Sequence, residues 1–523
     1  MQRAERPLVR CVSLLAAGLI LLFLASALRR LGDPFPLEQL EGAMAVAVAH
    51  VARGLPLYAR PDFSFIPYMY SPAYFWASAW MTHLLGVTGH CIVALRVVSI
   101  LSTLGCFAAI FTLVQVETRS AWAALAGAGL YAAAYPVTQN WFDLGRVDSL
   151  YVFLVLLAVL ATRKLHPALA ALFWVLALLA KQTIAPVAVL ALLHDWKRPR
   201  RALVGVGIFL AGALSCTAWL NHSTHGWYTY YIFTVPGANA DLRLHAAAFF
   251  LSTALLAPFG IALAVVVAAL LLTNINRCSR AARLYCLTGG AMLALCWLLF
   301  SHAGATAERY TAIPLYALLA VAFGIALARL LAWLRAQHNP TAQVGILVLL
   351  LAACAQLGSQ YYSPKLTAPL PPVLTSQQLF LDWLHLFPGD VYLPAHPYEA
   401  ALAGKSALAD EASIHDALRP GLASVHGPLL AQIHHAVDAE TFDAILLDRP
   451  PDQELDAAPW MPADWRRHYP VAALVPGSDV ANPFSRRPRY VLFSCRALAA
   501  PAARSVVFWQ RSASSLCPDS PQP

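Results

Sequence analysis

Two carboxylates, Glu38 and Glu41, stand just past a long apolar run, in the stretch Pro34-Phe35-Pro36-Leu37-Glu38-Gln39-Leu40-Glu41-Gly42. Three positions apart, they fall on one face if the stretch is helical. An ionised group at a membrane face is costly and is usually kept for a task, and the natural task here is to take a proton from a hydroxyl. The competing reading is a pair of solvated charges on an interfacial helix. Cations follow later in the chain. Asn140-Trp141-Phe142-Asp143-Leu144-Gly145-Arg146-Val147-Asp148 sets Arg146 between Asp143 and Asp148. That is either a structural ion-pair cluster or a planar fork for a phosphate, with an Asp to orient it. Lys181-Gln182-Thr183 breaks two apolar runs. Lys181 either snorkels to the headgroups or acts as a point charge for a lipid phosphate. His302 and Glu308-Arg309-Tyr310 close another run, with Arg309 either paired to Glu308 or free for phosphate. Tyr58 and Tyr70 belong to a Pro-punctuated aromatic segment that either anchors at the interface or stacks on a sugar or lipid head. The loop Asn221–Tyr231 carries His222 and His225 without a nearby carboxylate, and reads as an aromatic acceptor or interface loop. Taken together, a carboxylate base and three cations (Arg146, Lys181, Arg309) suit a reaction whose leaving group is a lipid-linked phosphate.

The elements that must position these groups are membrane spans. Of 523 residues, 59% are hydrophobic and 12% charged, about half the charged share of soluble domains. Apolar runs lie near 8–29, 91–116, 121–137, 149–162, 167–180, 183–194, 202–220, 246–273, 284–301, 311–334 and 342–357. The segment 73–88 is either a further span or a helix lying in the interface. The first run is too long for the core of a cleaved signal peptide and reads as a signal anchor. Short basic loops alternate with longer loops rich in aromatics, carboxylates and histidines. By the positive-inside bias, this predicts about eleven spans, a cytoplasmic N-terminus and outward loops at 31–90, 138–148, 221–245 and 301–310. The net charge of +9 is spent on those short loops, and no basic, aromatic-interleaved stripe suggests nucleic acid. We expect a polytopic α-helical membrane domain over 1–358, a C-terminal α/β domain over 359–510 on the outward side and a disordered tail at 511–523. In the α/β part, 390–393, 442–447 and 489–493 read as strands, and 376–387 and 427–437 as helices. Cys495 and Cys517 could pair if the C-terminal region is exported. The remaining cysteines show no metal-binding spacing.

The pattern Glu38-x-x-Glu41-Gly42 … Gly54-x-Pro56-Leu57-Tyr58 … Tyr70-Ser71-Pro72-x-Tyr74 resembles the first outer loop of the glycosyltransferase C superfamily. In particular it resembles the bacterial branch related to protein mannosyltransferases and lipid A aminoarabinose transferases. Arg146-x-Asp148 before an apolar run and Lys181-Gln182-Thr183 closing another are similar to the same branch. The resemblance implies an enzyme of the bacterial inner membrane with a periplasmic C-terminal domain. It would move a hexosyl or pentosyl group from a polyprenyl-phosphate-linked donor to an outer-face acceptor, with inversion. The acceptor would be a glycolipid, a polysaccharide or a protein. The catalytic carboxylate would lie in the first outer loop, at Glu38 or Glu41. Many relatives carry an adjacent Asp-Glu pair. This chain has Leu40-Glu41 with Glu38 upstream, so no metal and no other cofactor is indicated. A membrane glycan polymerase or ligase is the alternative enzyme, although such proteins place their large outer loop late. A transporter or flippase is the alternative of a different class; it should show broken helices and paired halves, and no half-repeat is visible.

Overall fold

The structure is a computed structural model that describes residues 2–164, 166–238, 246–273, 279–303, 309–478 and 487–506. The tail expected from 511 onward, and with it Cys517, lies outside the described residues; Cys495 is disulfide-bonded.

The chain is a polytopic α-helical membrane protein. Its membrane part is built from α1 (Gln2–Leu31), α2 (Gln39–Ala52), α3 (Ala73–Leu85), α4 (Cys91–Thr118), α5 (Ala121–Val137), α6 (Asp148–Arg163), α7 (Pro167–Ala180), α8 (Ala185–Leu192) and α9 (Pro199–Ser223). A π-helical stretch, Phe250–Leu256, then leads into α10 (Ala257–Leu272), followed by α11 (Arg280–Ala303), α12 (Ile313–Ala336) and α13 (Pro340–Gly358). Seven helices among the described residues are long and apolar enough to cross a membrane, and two shorter apolar segments, Pro167–Ala180 and Gln182–Asp195, lie among them. α2 and α3 have 14 and 13 residues, short of the ~20 that a span needs. Segment 73–88 is therefore no full crossing: α3 ends where Gly86 takes a left-handed conformation (φ 67°), a turn that a glycine makes without strain.

Packing among the helices relies on small residues. A Cβ on Gly129 of α5 would stand 2.4 Å from the Cβ of Ala16 on α1. The two backbones thus approach as closely as small residues permit between membrane helices. α4, α12 and α13 pack around this pair. One end of the bundle gathers the close of α1, the start of α4, the close of α5 and the start of α6; loops 32–90 and 138–147 sit on it. At the opposite end, ion pairs clip neighbouring helices: Arg163 to Glu117, Arg335 to Glu5, and Asp195 to both Arg280 (3.3 Å) and Arg283 (3.6 Å).

Beyond α13 the chain forms a four-stranded sheet in the order β1 (Val391–Tyr392), β2 (Ala444–Leu447), β4 (Tyr490–Phe493), β3 (Val471–Leu474). β1 and β2 are parallel, and the other pairs antiparallel. α14 (Pro371–Leu384) covers one face, with Phe380, Trp383 and Leu384 against Val391, Ala444, Leu446, Val491 and Phe493. The other face packs on the first loop of the membrane part: the Phe63 ring lies 5.2 Å from Tyr392 and 6.2 Å from Phe442. The helices expected over 376–387 and 427–437 run over Pro371–Leu384 and Ala423–Asp438 (α17). Among the elements with no counterpart in the sequence reading are β3, α15 (Pro397–Leu402) and α16 (Glu411–Leu418).

Candidate functional site

The site begins at the first turn of α2. Glu38 is not on the helix with Glu41, as an uninterrupted 37–53 helix would require. It is the N-cap, in extended conformation (φ −152°, ψ 145°), and its carboxylate accepts from the Leu40 N–H. A carboxylate suits a helix N-terminus because it answers an unpaired N–H and the positive end of the dipole. Capping turns the Glu38 side chain away from Glu41 and toward Arg146, whose Nη1 stands 3.4 Å from Glu38 Oε2. Burial raises the Glu38 pKa, against the pull of Arg146 and the Leu40 N–H. The side chain nevertheless keeps 23% of its surface exposed.

Glu41 is placed very differently. It is fully buried, and Arg96 grips it in a two-pronged pair, Nε to Oε1 at 2.9 Å and Nη2 to Oε2 at 2.8 Å. The N–H groups of Leu37 (2.8 Å) and Gly145 (2.7 Å) fill the rest of its accepting capacity. Burial alone would raise its pKa, but Arg96 and these donors together hold it below the usual range. Arg96 also donates to the carbonyls of Arg30, Asp33 and Phe35. Glu41 and Arg96 therefore knot together the end of α1, the start of α2, the start of α4 and the loop before α6. Gly145 suits this knot, since a Cβ there would meet Glu41 Cγ and Leu95 Cβ, each at a crowded 3.0 Å.

Arg146 lies between two aspartates in sequence but pairs with neither. Asp143 is bound to Arg30 (3.0 Å) and accepts from the Tyr135 hydroxyl, behind the Glu41 knot. Asp148 accepts from Lys181 Nζ (2.7 Å) and Trp141 Nε1 (2.9 Å). Arg146 donates to the Tyr70 hydroxyl (3.0 Å), and its guanidinium lies 5.6 Å from the Tyr70 ring and 5.0 Å from that of Trp141. Its Nε is buried and has no partner among the described residues, and the same holds for Thr183 Oγ1 beside Lys181 and for Tyr231 Oη. Buried polar groups rarely stay unpaired without a reason, and Arg146 Nε belongs to the cluster, called the mouth below, in which Arg146 meets Glu38 and Tyr70 while Asp148 holds Lys181.

Tyr58 is buried and donates to the Tyr70 carbonyl (2.6 Å); it fixes Tyr70 rather than facing the mouth. Gln182, between Lys181 and Thr183, donates to the Met69 carbonyl (3.0 Å) and so ties the same segment down. The aromatic loop after α9 leans on this segment too, with the Tyr228 ring 5.3 Å from that of Tyr58. Tyr310 stacks on Trp141 at 4.0 Å with the planes 3° apart. Arg309 is not brought to Glu38. It is exposed, lining a separate polar hollow of about 380 Å3 with Pro258, Gln360 and Tyr361. The side chain of His302 lies outside the described residues. Among the described residues, no group of three or more His, Cys, Asp or Glu is arranged to hold a metal ion.

Arg30, Asp33 and Arg96 were not among the expected residues. Arg96 is a cation at the sixth residue of α4, and a lone ion within an apolar run is the signal that marks such a position. The contribution of the C-terminal domain carries no sequence signal. Tyr68 donates to Asp410 (2.6 Å), the N-cap of α16, and Tyr230 donates to the carbonyl of Ala417.

No family model matches the chain, and no curated protein matches it. Among solved structures it is similar to ArnT from Cupriavidus metallidurans bound to undecaprenyl phosphate, at 15% identity and a TM-score of 0.45 over 81% of this chain and 78% of that one. It is similar to the apo state of the same protein, at 16% identity and a TM-score of 0.44 over 81% of this chain and 79% of that one. It is also similar to the oligosaccharyltransferase of Archaeoglobus fulgidus in complex with zinc and sulfate, at 13% identity and a TM-score of 0.45 over 89% of this chain and 73% of that one.

Proposed function

We propose that this protein is a membrane glycosyltransferase that moves a sugar from a polyprenyl-phosphate carrier to an acceptor hydroxyl on the outer face of a bacterial inner membrane. Glu38 is the general base, and Arg146, Tyr70 and Lys181 hold the carrier phosphate. The observation that supports this most is the unequal placement of the two carboxylates. Glu41 spends every lone pair on structure, whereas Glu38 is half-buried at the mouth with one N-cap bond and a long contact to Arg146.

Glu38 accepts the proton of the acceptor hydroxyl as its oxygen attacks the anomeric carbon. The bond between that carbon and the phosphate oxygen breaks, and the electron pair leaves with the polyprenyl phosphate. Charge growing on the phosphate falls between Arg146, a planar fork, and Lys181, a point charge. Asp148 keeps Lys181 aimed, and Trp141 keeps Asp148 aimed. Attack from the side opposite the leaving group inverts the anomeric centre. The acceptor is a glycolipid, a polysaccharide or a protein. The rim built by the first loop, the aromatic loop after α9 and α16 offers rings and carbonyls suited to a glycan.

Turnover of a panel of polyprenyl-phosphate sugars tests the reading. Glu38→Gln should lose about 10²- to 10⁴-fold in kcat with donor binding kept, the usual worth of a general base. Because burial raises the Glu38 pKa and the base must be ionised to act, wild-type turnover should climb with pH through a midpoint above the ordinary glutamate value. A Glu38→Gln enzyme with unchanged kcat sinks the assignment of the base; a wild type that neither binds nor turns over any such donor sinks the transferase reading.

A further inference from the structure

α10, α11 and α12 leave between them an apolar cavity of about 430 Å3, lined by none of the residues of the site described above. It lies within the size range of lipid-scale and drug-scale pockets. Leu263, Leu319, Gly289 and Gly290 are among its walls. The two adjacent glycines have no atom within 4 Å of a Cβ position, so they widen the groove rather than permit a helix contact. On α12 the lining runs from Leu315 to Arg329. Those fifteen residues span roughly 21 Å of helix, over half of the ~30 Å hydrocarbon core.

The polar end of this groove lies away from the site. Arg329 stands seven residues before Ala336, where α12 ends, or roughly 10 Å along the helix. Tyr285, near the start of α11, lines the same end and donates to Glu117 (3.1 Å). Four other cations at that end are matched, Arg163 by Glu117, Arg280 and Arg283 by Asp195, Arg335 by Glu5; Arg119, Lys164, Arg198 and Arg200, which make no ion pair among the described residues, are exposed to solvent or headgroups. Arg329 is half-buried and makes no hydrogen bond or ion pair among the described residues. A guanidinium at that depth is costly without an anion, and its fork suits a phosphodiester. A long apolar slot ending in an unmatched, half-buried cation at headgroup level is the complement of one anionic lipid.

We propose that this groove is a binding site for an anionic diacyl phospholipid of the leaflet opposite the catalytic mouth. An acyl chain lies along Gly289 and Gly290, and the phosphate rests on Arg329. The site is independent of the sugar-transfer reading and joins three helices that otherwise enclose a void.

Native mass spectrometry of the full chain, exchanged from detergent into equimolar phosphatidylglycerol and phosphatidylcholine, tests it. Wild type should retain one phosphatidylglycerol in preference to phosphatidylcholine. Arg329→Gln should weaken phosphatidylglycerol retention roughly ten- to a hundredfold, as loss of a charged hydrogen bond implies, and Arg329→Lys should restore part of it. Gly290→Leu, placed where a side chain meets no atom, should expel either lipid without unfolding the protein, with size-exclusion behaviour as the control. Equal retention of the two lipids by wild type overturns the proposal. So does phosphatidylglycerol retention that is unchanged in Arg329→Gln, or a preference for polyprenyl phosphate over phosphatidylglycerol.

Discussion

Glu38 and Glu41 are the same residue type three positions apart, and what separates them is what each touches. Glu41 has no exposed surface and four donors; Glu38 has an N-cap bond and a long contact to Arg146. Removing one member of a buried, fully hydrogen-bonded ion pair leaves the other charge uncompensated, at about 3–5 kcal/mol. Glu41→Gln should therefore lower the thermal midpoint of the detergent-solubilised protein by several degrees, whereas Glu38→Gln should leave it near wild type and act on turnover alone. Light-scattering or tryptophan-fluorescence melts decide this, and a Glu41→Gln protein as stable as wild type would return Glu41 to candidacy as the base. Sequence spacing flags both carboxylates, and Arg146 and Lys181 with them, because ions beside apolar runs stand out. It does not show how those ions pair. Asp143 and Asp148 flank Arg146 in the chain yet bind Arg30 and Lys181 instead, since pairing is set by which helix ends converge.

At the scale of elements, the bundle's span boundaries are legible in the sequence because long apolar runs in a membrane have one hydrogen-bonded solution, the helix. The expected run 121–137 coincides with α5, and 167–180 with α7. The short strand β3 is harder to see. Four residues with a half-buried alternation carry little periodicity, and pairing with β4 supplies what propensity does not. The loop Leu144-Gly145-Arg146 shows what such tertiary demands cost in sequence freedom. Gly145 brings its N–H to Glu41 and presents Arg146 to the mouth in the next residue. Gly145→Ala puts a methyl against Glu41 Cγ and Leu95 Cβ, and neither can yield, one being held by Arg96 and the other by the helix. Overpacking of this kind costs about 1–3 kcal/mol. The variant should lose both stability and turnover, because the loop that it displaces carries Arg146. A Gly145→Ala protein with wild-type melting and kcat would show that the loop has slack the structure does not suggest.

Across the whole molecule, the site is shared between the membrane bundle and the domain that follows it, and Asp410 is the sharpest link. It is buried, accepts from Tyr68 at 2.6 Å and leaves Oδ2 without a partner among the described residues. Tyr68 precedes Tyr70 by two residues, so strain at Asp410 is passed toward the group that holds Arg146. Burial is the main reason that the Asp410 pKa rises from 3.8 to about 7. The sign follows from proton counting. Between about pH 4 and 7 the folded chain keeps a proton on Asp410 that the unfolded chain has released, so stability falls as pH rises through that window and is level above it. The loss is at most on the order of a few kcal/mol, concentrated where α16 docks on the first loop. Hydrogen exchange of the α16 amides, corrected for intrinsic rate, should show greater protection at pH 5 than at pH 8. Asp410→Asn should remove that difference, because its neutral amide mimics the protonated acid at every pH. Equal protection of wild-type α16 at the two pH values would mean that Asp410 is ionised throughout, with the docked domain insensitive to it. A slope that vanishes in Asp410→Asn would instead place a proton-sensitive contact between the C-terminal domain and the segment that carries Tyr70.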